Sequence, residues 1–409
     1  MKPTPALLAS LLLTSLLAPA AVPPADINAA ALANNAFAGD LYQDLTARSP
    51  GKNLFFSPFS ISSALGMTWE GARGATAAEM ATVLHVPAAD AKLWTNAQMH
   101  AAVGALSKKF SQPDEGFELV VANALWAEKS MPLRQEFLAN IQPNYDAKLA
   151  SLDFISAPEA ARKQINTWVE EKTKDRIKDL LPEGSIDPDT RLVLTNAIYF
   201  KASWPKEFNQ ALTAEQPFQL AAGTAVKVPT MHDPSVRIGR HKADGFEVVE
   251  LDYQGAAVVL TIVMPDAPDG VPGIEKTLTP GSWKTWAAAL KPTLTDLYLP
   301  KFKLETAYSL NDPLKKLGMP LAFGGKADFS GITQSGPLAI SEVIHKAFVE
   351  VDEKGTEAAA ATAVTIARAS AMIEPEEPKL LRIDRPFLFA LRDRESGTLL
   401  FLGRVMDPR

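Results

Sequence analysis

Cysteine is missing from all 409 residues. That excludes disulfides, thiol catalysis, Cys-based metal sites and the lipid-attachment cysteine of a bacterial lipoprotein, so stability has to come from packing. Long apolar runs are missing too. The run Leu7 to Leu17 is too short to span a bilayer, and no later segment offers a span. None of the five histidines (His85, His100, His232, His241 and His345) lies in an H-E-x-x-H helix, and no G-x-S-x-G elbow occurs. The glycines at Gly71 to Gly74 and Gly324-Gly325-Lys326 are too incomplete for phosphate loops, and in the second Ala327 stands where Ser or Thr is needed. No enzymatic site, metal or cofactor is therefore expected. There is no excess of positive charge either. A formal net charge of -6 argues against nucleic acid or an anionic membrane as partner. Finally, no Pro/Gly/Ser linker and no internal repeat divides the chain, which implies one extended domain.

What is present begins with a secretory leader. Residues 1–20 contain Lys2, the apolar run and Ala18-Pro19-Ala20 as an A-x-A-like cleavage site, so a secreted protein, extracellular or periplasmic, is expected, with residues 21–409 as its single domain. Asp26 is predicted to cap a helix with Leu32, Phe37, Leu41 and Leu45 on one stripe. Asn53 to Met67 reads as a short strand broken by Pro58 and followed by a Ser-rich helix start. Capping boxes at Thr76/Glu79 and Ser156/Glu159 open helices, the second carrying Ile165, Trp168, Val169, Ile177 and Leu180. A helix is expected over Ala91 to Phe110 and a strand over Phe117 to Ala127. Arg191 to Trp204 is nearly continuous in apolar residues, the pattern of a central strand covered on both faces. Phe246 to Tyr253 and Ala256 to Met264 form a hairpin candidate, Tyr298 to Glu305 a strand, and Leu314 to Met319 a short helix ended by its glycine. Two last strands flank Glu395-Ser396-Gly397. Helices first and strands later give an α+β class, with large antiparallel-rich sheets surrounded by helices.

One stretch fits no element cleanly. Glu353 to Ala367 has Gly355, four consecutive alanines and no proline. It can be a loop, a short helix or a strand, since small side chains tolerate burial on either face. As a strand it would set Thr356, Ala358, Ala360, Thr362, Val364 and Ile366 on one face.

Several strings, in order along the chain, carry a family resemblance: NLFFSPFSISSALGM, INTWVEEKTKDRIKDLLP, TNAIYFKASW, YLPKFKLE, ADFSGI, HKAFVEVDEKGTEAAAATA, DRPFLFALRD and LFLGRVMDP. Together they resemble the serpins, serine protease inhibitors that trap their targets by inserting a loop, and a secreted prokaryotic member with an inhibitory-type hinge is expected. The resemblance implies the serpin fold with an exposed reactive loop over about 353–378. It implies a suicide substrate: a serine protease cuts the loop, forms an acyl-enzyme, and is trapped as the loop enters the main sheet. The implied partner is a serine protease held covalently by a monomer. The implied hinge is Glu353, Gly355, Thr356, Glu357, Ala358, Ala359, Ala360 and Ala361. The residues matching the sheet-opening region are Ser57, Ser60, Asn196, His345 and Trp204. Ser57 and Asn196 could share hydrogen bonds, with His345 joining them; by pattern alone all five read as ordinary core residues. Counting from Gly355 by the family's spacing puts the bait bond at Ala369-Ser370, which suits an elastase-like protease. A shift of one residue would make Arg368 the bait for a trypsin-like one, and Met372 is a further site. The acidic insert Glu374 to Pro378 lengthens the far arm and leaves this register open, as a solvated tether or a steering group. Lys108 and Lys109 offer little to a glycosaminoglycan. The alternative is a non-inhibitory serpin used as a binding module or chaperone.

Overall fold

The structure is a computed structural model that describes residues 22–89, 92–111, 116–145, 147–356 and 376–409. The leader, the hinge from Glu357 to Ala361, the bait candidates Arg368, Ala369, Ser370 and Met372, and Glu374 lie outside the described residues.

The first half is mainly helical. α1 (Pro24–Arg48) buries Phe37, Leu41 and Leu45, while Leu32 faces solvent. Asp26 is not its cap. Pro23 holds that place and Pro24 is the first helical residue, where a missing N–H costs nothing; Asp26 sits in the first turn, favoured there by the helix dipole. β1 (Leu54–Phe56) stops short of Pro58 and α2 (Pro58–Gly71) starts on it, with the Ser57 hydroxyl accepting the Ser60 N–H. α2 is buried on nearly every side, as a helix threading the core must be. Next come α3 (Gly74–Val83), β2 (Ala88–Ala89), β3 (Lys92–Leu93) and α4 (Asn96–Ser111); the helix expected from Ala91 starts later because β2 and β3 pair first. β4 (Phe117–Glu128), α5 (Gln135–Ile141), β5 (Lys148–Leu152) and α6 (Pro158–Lys172) complete this half. Neither capping box forms. The Thr76 hydroxyl accepts the Asp328 N–H and Glu79 accepts the Leu321 N–H, so distant backbone donors take both side chains. Ala157 precedes α6 without a side-chain cap, and Glu159 pairs with Arg162 instead. α6 also ends sooner than expected: Lys174 and Asp175 have φ of 52° and 60°, left-handed values that stop a helix. Ile177 and Leu180 lie beyond it, buried against the same small cluster as Ile165 and Val169.

The second half supplies most strands: β6 (Leu192–Ser203), β7 (Ala214–Gln219), β8 (Ala225–Lys242), β9 (Phe246–Asp252) and β10 (Val258–Pro265), then helices α7 (Val271–Glu275) and α8 (Ser282–Ala289). β11 (Lys291–Pro300), β12 (Phe302–Ser309), α9 (Asn311–Leu317), β13 (Glu342–Asp352), β14 (Gly355–Thr356), β15 (Lys379–Arg382), β16 (Phe387–Asp393) and β17 (Leu399–Val405) follow. The single strand expected over Tyr298 to Glu305 is two, because the chain leaves one sheet at Pro300 and joins another at Phe302.

Two sheets organise the molecule. The nine-stranded one runs β1-β17-β16-β10-β9-β8-β11-β15 with β7 on β8, and is antiparallel except for β11 with β15. The six-stranded one places β12, β13, β6, β4 and β5 side by side, with β14 lodged between β13 and β6 at one end. One face of this second sheet packs on the main core, including Leu194, Ile198, Phe200, Ala347 and Val349. The other face, with Val193, Ala197, Tyr199, Ile344 and Phe348, is covered by the Ala161, Ile165 and Val169 stripe of α6. β6 is therefore buried on both sides, as its unbroken apolar run requires.

Candidate functional site

The arrangement that sets this sheet apart is the seam between β6 and β13. Those two strands run parallel, paired from Val193 with Glu342 to Tyr199 with Phe348. Their outer partners are antiparallel: β4 on β6 and β12 on β13. Beyond Phe348 the two strands part. Gly355 and Thr356 enter between them, pairing with Asp352 and Val351 on one side and with Ser203 and Ala202 on the other, antiparallel to both. A parallel pair can take an antiparallel strand between its members, and each new ladder has the geometry that is slightly more stable per residue. Gly355 and Thr356 occupy that position.

Local chemistry explains why these two residues can enter. Gly355 has φ of 148°, and an added Cβ would overlap the Ala202 carbonyl oxygen. Only glycine fits such a close backbone approach. Thr356 is fully buried, its hydroxyl 2.6 Å from the Tyr253 phenol. Burial pushes the Tyr253 pKa up, so the phenol stays neutral in that bond. Tyr253 stacks on Trp204 at 4.7 Å, and Trp204 Nε1 donates to the Asp352 carbonyl at 2.8 Å. The Trp204 and Phe208 amides donate to the Lys354 and Glu353 carbonyls, so the chain after β6 grips the turn between β13 and β14. Glu353 is 5% exposed. It accepts from Lys301 Nζ at 2.7 Å and from the Thr213 hydroxyl at 2.8 Å. Burial alone would raise its carboxyl pKa; Lys301 and Thr213 outweigh that and hold it below the usual value.

Farther down the seam lies a buried polar cluster. His345 and Asn196 face each other in register across β13 and β6. The Ser57 amide donates to His345 Nε2 at 3.0 Å, which leaves the proton on Nδ1 to be donated to Asn196 Oδ1. Asn196 Nδ2 donates to Ser60 Oγ at 2.6 Å and to Asn123 Oδ1, and Asn123 returns a bond to the Ser60 carbonyl. Ser57 and Asn196 do not meet directly, since His345 bridges them, while the Ser57 hydroxyl donates to the Leu400 carbonyl at 2.6 Å. Burial pushes the His345 pKa down to about 3, so the ring is neutral. α2, β4, β6 and β13 are thus pinned together at this point of the seam.

The structure brings Ser57, Ser60, Asn196 and His345 into one network and places Trp204 at the open end of the seam, beside Glu353, Gly355 and Thr356. Sequence reasoning missed Asn123, Tyr253, Lys301 and Thr213. Asn123, polar in the middle of an apolar strand and opposite Asn196 in register, was the one readable signal. Of the acidic insert, Glu376 pairs with Arg237 at 2.7 Å. Lys109 is engaged by Asp393 and Glu395.

Comparison with known proteins fits this geometry. The family model described as serpin (serine protease inhibitor) matches residues 32–408. Leukocyte elastase inhibitor of Sus scrofa is 41% identical over 383 residues, covering 92% of this chain and 98% of that protein. A serpin-like protein of Thermococcus kodakarensis is also 41% identical, covering 92% of this chain and 85% of that one. Among solved structures, human thyroxine-binding globulin superposes with a TM-score of 0.82 at 30% identity, covering 94% and 99% of the two chains. Uncleaved ovalbumin gives 0.83 at 25%, covering 93% and 100%. With a family model spanning nearly all of it and relatives matched almost end to end, this chain belongs to the serpin family.

Proposed function

We propose that this chain is a secreted, monomeric inhibitor of serine proteases that works as a suicide substrate. The protease's serine oxygen attacks the Ala369 carbonyl carbon, the Ala369–Ser370 peptide bond breaks, and the freed amine of Ser370 leaves with a proton. An ester then joins the protease to the Ala369 end. That end is the hinge side of the cut, continuous with β14, and it is free to add to the seam.

The observation that carries this reading is the register of Gly355 and Thr356. Continued residue by residue, it would set Ala358 between Val349 and Phe200, Ala360 between Ala347 and Ile198, Thr362 between His345 and Asn196, and Val364 between Val343 and Leu194. All those neighbours are buried, and alanine and threonine enter such a face at little steric cost. Glu357, on the other face, would fall between Lys201 and Glu350. The sequence therefore suits a full inserted strand and not merely its first two residues. Relatives named leukocyte elastase inhibitor support a small bait residue and an elastase-like target. The leader at residues 1–20 supports export.

The test incubates the protein with an elastase-like and a trypsin-like protease. A complex that survives boiling in detergent, with mass spectrometry placing the cut after Ala369, is the expected result. A cut after Arg368 would transfer the specificity to trypsin-like proteases. Clean cleavage with the protease left fully active would overturn inhibition and leave a non-inhibitory serpin that binds or carries something else.

A further inference from the structure

Away from the seam, the nine-stranded sheet has a cavity of about 250 Å³ where β15 brings the far arm of the loop back into the fold. Its floor has an apolar patch of Phe218, Val228 and Ile383, 0, 2 and 2% exposed, with Gln216 and Thr230 also in the lining. Its rim includes Tyr298 and Arg382. The strand order β8-β11-β15 sets His232, Tyr298 and Arg382 side by side in register. The Arg382 guanidinium lies 3.8 Å from the Tyr298 ring centroid, and the His232 ring is parallel to Tyr298 at 4.1 Å. His232 has its own carboxylate, Asp296, at 2.7 Å. Arg382 has no carboxylate among the described residues. Asp384, also at the rim, is occupied by Arg385 at 2.8 Å. The result is a half-buried guanidinium close over an aromatic ring, with no side-chain acceptor of its own among the described residues, beside an apolar patch.

We propose that this cavity is a binding site for a small aromatic carboxylate of about benzoate size. The guanidinium fork matches a planar two-oxygen anion. The floor of Phe218, Val228 and Ile383 takes an apolar body. A volume near 250 Å³ admits about ten non-hydrogen atoms at protein-like packing. Asp384 at the rim disfavours a dianion such as phosphate, which would also leave the floor uncovered. The site is independent of the loop mechanism proposed above, yet it touches the loop's root. Arg382 and Ile383 belong to β15 and its continuation, β15 pairs only with β11 among the described residues, and the Ile383 amide donates to the Tyr298 carbonyl at 2.9 Å. A bound carboxylate would brace that edge strand.

Calorimetric titration of the intact protein with sodium benzoate, benzamide and inorganic phosphate at constant ionic strength tests the site. Benzoate is expected to bind saturably at one site, with benzamide and phosphate weaker by about tenfold or more, the range of a lost charge-assisted bond. Arg382→Gln should weaken benzoate by a similar factor, and benzoate should slow hydrogen exchange in a peptide covering 379–384. Equal binding of benzamide or phosphate, an unaffected Arg382→Gln variant, or no saturable benzoate binding would each overturn the proposal. If the variant fails to fold, the comparison of the three ligands on the unaltered chain still decides.

Discussion

Among the described residues of the proposed hinge, Gly355 carries the tightest demand, because its φ of 148° and the Ala202 carbonyl both exclude a side chain. Gly355→Ala should expel β14 from the seam at a cost of about 1–3 kcal/mol in local stability. Faster hydrogen exchange at Thr356 and slower trapping of protease would be the signs; unchanged exchange would mean that the backbone can relax around a methyl group. Glu353 is held to Lys301, whose side chain is 35% exposed. Glu353→Lys should destabilise the protein by about 1–3 kcal/mol, less than a fully buried pair because Lys301 is partly in water. The double exchange with Lys301→Glu should recover part of the loss in a urea titration. His345 adds a pH dependence. Its pKa is about 3 in the folded protein against an ordinary 6.5, so between those values the unfolded chain binds more protons. Its contribution is fully present above pH 6.5 and is lost as the pH falls toward 3, at up to about 1.4 kcal/mol per pH unit. The unfolding midpoint should drop between pH 6.5 and 5, and His345→Gln should flatten that slope by about one proton. An equal slope in the variant would assign the dependence to other groups.

At the scale of the element, the proposed insertion makes the seam a place for one more strand, and the strand's chemistry can be broken without touching the bait. Ala360→Pro removes a ladder donor in the middle of the inserting segment. It should leave cleavage intact while turning a trapped complex into free, active protease, seen as loss of the detergent-stable band; persistence of that band would show that insertion does not reach residue 360. Elements were legible in the sequence where one pattern dominated. β6 showed itself because burial on both faces leaves an unbroken apolar run, and α2 because Ser57 and Pro58 form a cap and a first turn that need no other partner. The corner between β11 and β12 was hidden, since both halves keep a period of two while the chain changes sheet. The capping boxes misled because Thr76 and Glu79 found long-range backbone donors. The site was legible only through the resemblance. The bonds of Thr356 to Tyr253 and of Glu353 to Thr213 join residues 103 and 140 positions apart, and no local spacing encodes such a meeting. Asn123 was the exception, a polar residue in an apolar strand whose burial demands a partner.

For the molecule as a whole, the proposed mechanism requires the uncut chain to be held short of its most stable form. The parallel pairing of β6 with β13 would be exchanged for two antiparallel ladders on a new central strand. Each added hydrogen bond is worth roughly 0.5–1.5 kcal/mol net, and the core-facing methyl groups add about 25 cal/mol for each Å² buried. Over a strand the length of β13, 11 residues, the gain is on the order of 10 kcal/mol, comparable with the whole stability of an ordinary domain. Only a kinetic barrier can keep such a state from relaxing, and the network of Ser57, Ser60, Asn123, Asn196 and His345 lies where that barrier must be crossed. Part of the gain is local. Thr362 would enter between His345 and Asn196, whose mutual hydrogen bond must then be replaced by the threonine hydroxyl, so Thr362→Val should reduce the stability of the cut form by about 1–3 kcal/mol, the cost of leaving a buried polar group without its partner. The decisive measurement is thermal. Cutting the loop with a protease that leaves no covalent complex should raise the melting temperature by about 10 °C or more, given roughly 1–2 °C per kcal/mol in a chain of this size. A cut ordinarily lowers stability by freeing chain ends, so a melting temperature that stays level or falls would mean that the loop does not enter the seam, and trapping by insertion would have to be abandoned for this protein.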